Sequence, residues 1–151
     1  MKLRSLLPVI LIVSMIVPAG CSKDDDNNQQ SQALTNISAA KWKFSEATAG
    51  GFDASDEVPS CYRDNLLTFF ADNKGKIEES TVVCDPSQEG DFTWQFNSTE
   101  TEITMDAAVI PGGNNKFNVV SLTATTMVLS QTTNIFPAPV PVEIIVTFTH
   151  P

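Results

Sequence analysis

The sequence predicts an all-β protein whose strands run antiparallel. Three observations support this class. Short segments of alternating polar and apolar residues recur from Lys41 to the C-terminus, turn-forming residues separate them, and no segment has the period of an amphipathic helix. Short strands at close intervals form either an antiparallel sandwich or a closed barrel, and closure removes exposed sheet edges.

About eight segments have the β-branched or aromatic composition of strands. The clearest is Asp91–Asn97, in which Phe92, Trp94 and Phe96 share one face. Asp72–Gly75 is typical of a hairpin turn. The expected strands are residues 41–45, 66–70, 76–82, 91–97, 102–105, 117–122, 126–131 and 142–149.

Two connections stand out between the expected strands. Thr48–Ser60 is rich in Ala, Gly and Asp and has no hydrophobic period, so we expect a long loop with at most one short helical turn. Phe136–Pro141 contains three prolines, which fix the backbone and remove hydrogen-bond donors. We expect these two loops to line the mouth of a barrel.

The first residues have the layout of a secretory signal. Lys2 and Arg4 precede the apolar run Leu6–Val17, which ends before small residues. This run is well short of the roughly 20 residues that a membrane-spanning helix needs. We therefore expect residues 1–20 to be a signal peptide.

Residues 18–21 (Pro-Ala-Gly-Cys) resemble the lipobox of bacterial lipoproteins, which implies acylation of Cys21 and anchoring in a lipid bilayer. The polar chain after it predicts a flexible tether over 21–39, followed by the domain 40–151. Ser22–Asp26 resembles the surface-export signal of Bacteroidetes lipoproteins; a merely solvated acidic spacer is the alternative. We expect a location at the outer membrane, facing either the periplasm or the cell surface.

Charge and composition exclude several functions. The formal net charge is −9, and removal of Lys2 and Arg4 makes it more negative, which argues against nucleic acid as a partner. His150 is the only histidine, so the sequence has too few histidines for a histidine-based metal site, and a catalytic triad would have to use His150. We expect a monomeric, non-enzymatic single domain with no cofactor and no metal.

Cysteine counting predicts a disulfide. If Cys21 is acylated, Cys61 and Cys84 remain as a pair in an oxidising compartment. Such a bond contributes roughly 3 to 4 kcal/mol on the loop-entropy model. The alternative, two ligands of a metal site, lacks neighbouring Cys or His residues.

A wider pattern resembles the lipocalin-like lipoprotein domains of Bacteroidetes over most of residues 40–150. The residues that carry the likeness are Trp42, Cys61–Asn65, Phe69, Asp72–Gly75, Cys84–Pro86, Gly90 and Trp94. The resemblance implies an up-and-down barrel of eight strands whose interior is either filled by side chains or able to hold a small hydrophobic ligand.

Inward-facing residues are therefore candidates for the core or for ligand contacts, and most such residues simply pack. They are Trp42, Phe44, Phe69, Phe92, Trp94, Phe96, Ile103, Met105, Val146 and Phe148. Two functional hypotheses therefore remain. In the first, the barrel binds a small hydrophobic ligand in its interior. In the second, side chains fill the interior, and the loops or the outer face bind another envelope protein or an extracellular polymer.

Overall fold

The computed structural model describes residues 30–107, 109–134 and 140–151, and it contains nine strands and two short helices. Its elements are α1 (Gln32–Ile37), β1 (Trp42–Ala49), β2 (Phe52–Asp53), α2 (Ser60–Arg63), β3 (Leu66–Phe69), β4 (Lys74–Glu78), β5 (Gly90–Phe96), β6 (Glu102–Met105), β7 (Lys116–Leu122), β8 (Thr126–Thr133) and β9 (Val142–Thr149). Neither helix in this part of the chain is long and apolar enough to cross a bilayer.

The strands form a closed antiparallel barrel. From β3 to β9 each strand pairs with the next along the chain, and β1 pairs with both β3 and β9. The barrel thus has eight strands in up-and-down order, and β2 is a two-residue strand attached to the end of β1. This arrangement confirms the predicted fold and selects the barrel over the sandwich.

The barrel interior is a single hydrophobic core. Of the expected inward residues, Phe44 and Phe96 are half-buried and pack against the core. The others are buried, namely Trp42, Phe69, Phe92, Trp94, Ile103, Met105, Val146 and Phe148. Phe69, Trp94 and their aromatic neighbours meet edge to face, with ring centroids 5.3 to 5.4 Å apart.

A bulge in β1 changes which of its residues face inward. The register against β9 shifts between Phe44 and Glu46. An extra residue in one strand reverses the alternation after it, so Trp42 and Phe44 face the core before the bulge, and Ala47 faces it afterwards. The bulge therefore keeps the carboxylate of Glu46 outside the barrel.

The turn between β3 and β4 ends earlier than the predicted turn Asp72–Gly75, because Lys74 and Gly75 already belong to β4. Asn73, with φ of 66°, takes the left-handed conformation, whereas Gly75 lies within β4. Gly75 is needed for another reason, because a Cβ atom there would collide with the ring of its cross-strand partner Phe92. The predicted strand 76–82 is also corrected, since β4 ends at Glu78.

Helix α1 corrects the predicted boundary of the tether. Ser31 caps the helix by accepting a hydrogen bond from the amide of Leu34 at 3.0 Å. Ile37 is buried in the core, and its carbonyl accepts a 2.8 Å hydrogen bond from Trp42 Nε1. Segment 32–39 therefore belongs to the folded part and closes one end of the barrel. This helix could not be predicted from its sequence, because six residues are too few to show a helical period.

Trp42→Phe tests this closure. The substitution removes the buried donor and leaves the Ile37 carbonyl without its partner, so we expect a loss of about 1 to 3 kcal/mol in unfolding free energy. Amides of α1 should also exchange faster with deuterium. Trp94→Phe is the matched control, because it removes a 2.8 Å bond from Trp94 Nε1 to the Lys74 carbonyl, elsewhere in the barrel. Equal exchange of α1 in both variants would show that the helix does not depend on Trp42.

Candidate ligand-binding site

The two ends of the barrel differ in their connections. Short turns and α1 lie at one end, which we call the closed end. The other end, called here the open end, carries the long connections 50–65, 79–89 and 106–115. Long loops on a rigid barrel are the usual place for a binding site. The open end is therefore where a ligand has access to the interior.

A cavity of about 90 Å³ lies at the open end. Apart from Glu57 it is lined by apolar residues, and three of these are alanines. The lining residues are Ala47, Ala49, Ala54, Glu57, Val58, Ile110, Pro111, Ile144 and Val146. The void exists because β1 places alanines, after its bulge, where larger side chains would fill the barrel.

Most of the sequence-predicted contact candidates do not line this cavity. Val146 does, whereas Trp42, Phe44, Phe69, Phe92, Trp94, Phe96, Ile103, Met105 and Phe148 pack in the core outside it. The sequence pattern singles out large apolar residues, so the alanines were not predicted as contacts. A small residue at an inward position is the signal that identifies such a cavity. Ala47 faces inward only because of the bulge in β1, and the sequence pattern does not reveal that bulge.

A flap covers the gap between β1 and β3. We call residues 50–58 the flap; it includes β2 and a 3-10 turn over Ser55–Glu57. β3 pairs with β1 only at Trp42 and Lys43, and β2 pairs with Thr48 and Ala49. Ala54 and Val58 of the flap line the cavity. The expected loop 48–60 thus has more structure than predicted, and it does reach the site.

Few hydrogen bonds hold the flap to β1. The Ser55 hydroxyl accepts from the Ala47 amide at 3.1 Å and lies 3.4 Å from the Ala47 carbonyl, which also accepts from the Ala54 amide at 2.9 Å. The hairpin that begins the flap turns at Gly50 and Gly51, both with positive φ. The ladder pairs of β2 with Thr48 and Ala49 and a 2.9 Å bond from the Gly50 amide to the Glu143 carbonyl complete its attachment, which is partly exposed to solvent.

A disulfide fixes the chain that follows the flap. Cys61 in α2 is bonded to Cys84, as predicted, so these two thiols are not metal ligands. Asp64 Oδ2 accepts hydrogen bonds from the amides of Thr81 and Val82, both at 2.9 Å. Elsewhere in the described residues no three His, Cys, Asp or Glu side chains cluster as a metal site would require. The disulfide and Asp64 therefore join two of the open-end loops.

Glu79 organises the loop that contains Cys84. Its carboxylate accepts hydrogen bonds from the amides of Cys84 and Gln88, each at 2.9 Å, and from the Ser87 hydroxyl at 2.6 Å. The Gln88 amide and then the Ser87 hydroxyl lower the pKa of Glu79 below its ordinary value. The ionised carboxylate is thus the form that holds the loop.

Gln131 is a buried polar residue at the same end of the barrel. Its side chain is 3% exposed, and Oε1 accepts a 2.9 Å hydrogen bond from the Asn114 amide. Nε2 has no partner among the described residues. Gln131 pairs across the sheet with Ile144, which lines the cavity. Gln131 itself is not a cavity-lining residue; it lines a separate depression together with Asn114 and Thr132.

Some predicted site residues lie outside the described part of the chain. They are the signal segment 1–20, the acylation candidate Cys21, the tether up to residue 29 and Phe136 of the proline-rich loop. The role of residues 136–141 at the mouth therefore stays a prediction.

Glu79→Gln should produce a pH-dependent loss of stability. The folded pKa of Glu79 lies below its ordinary value near 4.5. The carboxylate therefore stabilises the fold fully above pH 4.5, and this contribution is lost as the pH falls through the folded pKa. We expect the variant to have a lower Tm at pH 7 and the two proteins to converge in acid. Thermal melts between pH 7 and 3 measure this, with Glu89→Gln as control. A constant Tm difference across that range would contradict it.

Comparison of the sequence with known protein families agrees with this barrel geometry. The model of the lipocalin-like domain family matches residues 39–129, which is more than half of the chain. The matched segment runs from just before β1 into β8. No curated protein is similar enough to match the chain. The chain belongs to the lipocalin-like domain family.

Proposed function

We propose that this protein binds a small apolar ligand, or the apolar end of a larger one, in the cavity at the open end. The observation that carries this proposal is the apolar void between Ala47, Ala49, Ile144 and Val146, covered by a flap with few bonds. Burial of apolar surface contributes roughly 25 cal/mol per Å². A ligand that replaces water or empty space there gains this free energy.

The volume of the cavity and the charge at its wall restrict the ligands that it can bind. At the roughly 30 Å³ that one water takes in the liquid, the cavity of about 90 Å³ encloses only about three heavy atoms unless the flap moves. The exposed carboxylate of Glu57 at the cavity disfavours an anionic ligand. A small, neutral, mainly apolar molecule fits these conditions.

Binding without catalysis is the function that this lining supports. Glu57 is the one ionisable residue among the cavity-lining residues of the described chain, and none of them is a serine, cysteine or histidine. Nucleophilic catalysis needs such a group beside a base. The apolar wall instead has the composition of a binding pocket.

Ala47→Leu tests the proposed ligand site. The larger side chain fills the cavity, so we expect at least a tenfold loss of affinity for any ligand of the wild-type protein. Saturation-transfer NMR with neutral alcohols and ketones of two to eight carbons provides the measurement. Thr48→Leu is the matched control, because the neighbouring side chain points out of the barrel. Absence of binding by the wild type, or equal binding by both variants, would reject the site.

We further propose that the chain is a lipid-anchored protein of the outer membrane. Support comes from the signal-like segment 1–20, the lipobox-like residues before Cys21 and the paired cysteines, which suit an oxidising compartment. The folded part begins with Ser31 and α1 at the closed end. An anchor at Cys21 therefore joins the barrel opposite its open end and leaves the cavity accessible. The likeness to Bacteroidetes lipoproteins favours such bacteria as the source.

Cys21→Ser tests the anchor. We expect the wild type to incorporate labelled palmitate and to sediment with membranes, since two or more acyl chains hold a protein there. The variant should do neither. Cys61→Ser is the control, because it keeps Cys21 while altering another cysteine. A mature wild-type protein whose first residue is not Cys21, or which lacks acyl mass, would contradict the anchor.

Exposed apolar residues favour a second candidate function, the binding of another protein. Several large apolar residues of the open-end loops are exposed, including Phe52 at 79%, Val83 at 65% and Val140 at 61%. Exposed apolar residues at one end of a molecule favour contact with another protein. In this reading the barrel is an interaction module of the cell envelope. Partner binding would then depend on Phe52 and Val83 and not on Ala47.

A further inference from the structure

A polar groove runs across the outer face of β4, β5 and β6, away from the cavity. Two depressions of about 460 and 390 Å³ share Lys74, Thr93 and Asp106 and so form one continuous groove. Both are larger than the interior cavity of about 90 Å³. Its lining includes Phe70, Lys74, Asp91, Thr93, Gln95 and Thr104.

We propose that this groove, called the outer groove, binds a neutral glycan chain. Its outward side chains offer hydroxyl, amide and carboxylate groups, which pair with sugar hydroxyls as donors and acceptors. Gln95 and Thr104 lie directly opposite each other on neighbouring strands. Neither side chain has a hydrogen bond to another described residue, so both are free to bind a ligand.

An exposed aromatic ring lies at one side of the groove. Phe70 is 47% exposed and lines the larger depression together with Asp91 and Thr93. The apolar C–H face of a sugar ring packs on such an aromatic surface, while the hydroxyls at its rim reach polar groups. Phe70 provides the apolar contact, and Asp91, whose carboxylate has no hydrogen bond to another described residue, provides a polar contact beside it.

The floor of the groove is held rigidly. Asp106 accepts hydrogen bonds from the Thr93 amide at 2.6 Å and the Thr93 hydroxyl at 2.8 Å. Asn73 Nδ2 donates to the Trp94 carbonyl at 3.1 Å, and Trp94 Nε1 donates to the Lys74 carbonyl at 2.8 Å. A site that is fixed before binding loses less conformational entropy when the ligand arrives.

Charge decides which polymer the groove fits. Asp72, Asp91 and Asp106 outnumber Lys74 among its ionisable side chains. The whole chain is also acidic, with a formal charge of −9. Uronic-acid polymers and nucleic acids would be repelled. An open groove rather than a closed pocket suits internal segments of a long, uncharged chain.

Native affinity electrophoresis of the full chain tests the proposal. The gels contain neutral polysaccharides (dextran, xylan, galactomannan or mixed-linkage β-glucan) or the anionic polymers alginate and polygalacturonate. We expect retardation by at least one neutral polymer and by neither anionic one. Phe70→Ala and Gln95→Ala should each weaken the affinity about threefold to tenfold, the range that one aromatic packing contact or one hydrogen bond contributes.

Val120→Ala is the matched control, because it removes another exposed apolar side chain, on β7, outside the groove. Circular dichroism and Tm verify that all variants fold. The proposal is overturned if no neutral polymer retards the wild type, if only the anionic polymers do, or if Phe70→Ala and Gln95→Ala bind as tightly as Val120→Ala. Ala47→Leu should bind the polymer normally, which separates this groove from the interior cavity.

Discussion

The pairing of β1 with β9 is the interaction on which the rest of the structure depends. It runs from Lys43 opposite Thr149 to Ala49 opposite Ile144 and joins the two ends of the domain. Without it the sheet would have two exposed edges, and its inward aromatics would face water. Because β9 occupies one whole edge of β1, the other edge is left to β3 and the flap. The gap in that edge is what gives the interior a covered entrance.

Alternation predicted the barrel well because it depends on a physical requirement of one strand at a time. A strand with one buried face must alternate, so Phe92, Trp94 and Phe96 identified β5 and its core face correctly. The same reasoning identified Val146 and Phe148 in β9. The disulfide could be predicted by elimination, since few thiols were available to pair.

The candidate site was harder to predict because it depends on positions that break the local pattern. The bulge after Phe44 shifts the inward register, and only then do Ala47 and Ala49 become cavity residues. Helix α1 is short and depends on a tertiary bond from Trp42 to Ile37, so its own sequence does not reveal it. The outer groove combines residues from three strands and a turn, and no linear motif joins them.

The cavity has an energetic cost that supports a binding role. The apolar side chains of Ile144 and Val146 lack packing partners on the cavity side, so the fold forgoes the dispersion contacts that a filled interior would make there. Larger apolar side chains at Ala47 and Ala49 would remove that cost, as the aromatics do in the rest of the core. A ligand in the void offsets the cost. The proposed ligand would enter beneath the flap, and the disulfide that follows the flap would keep its far end in place.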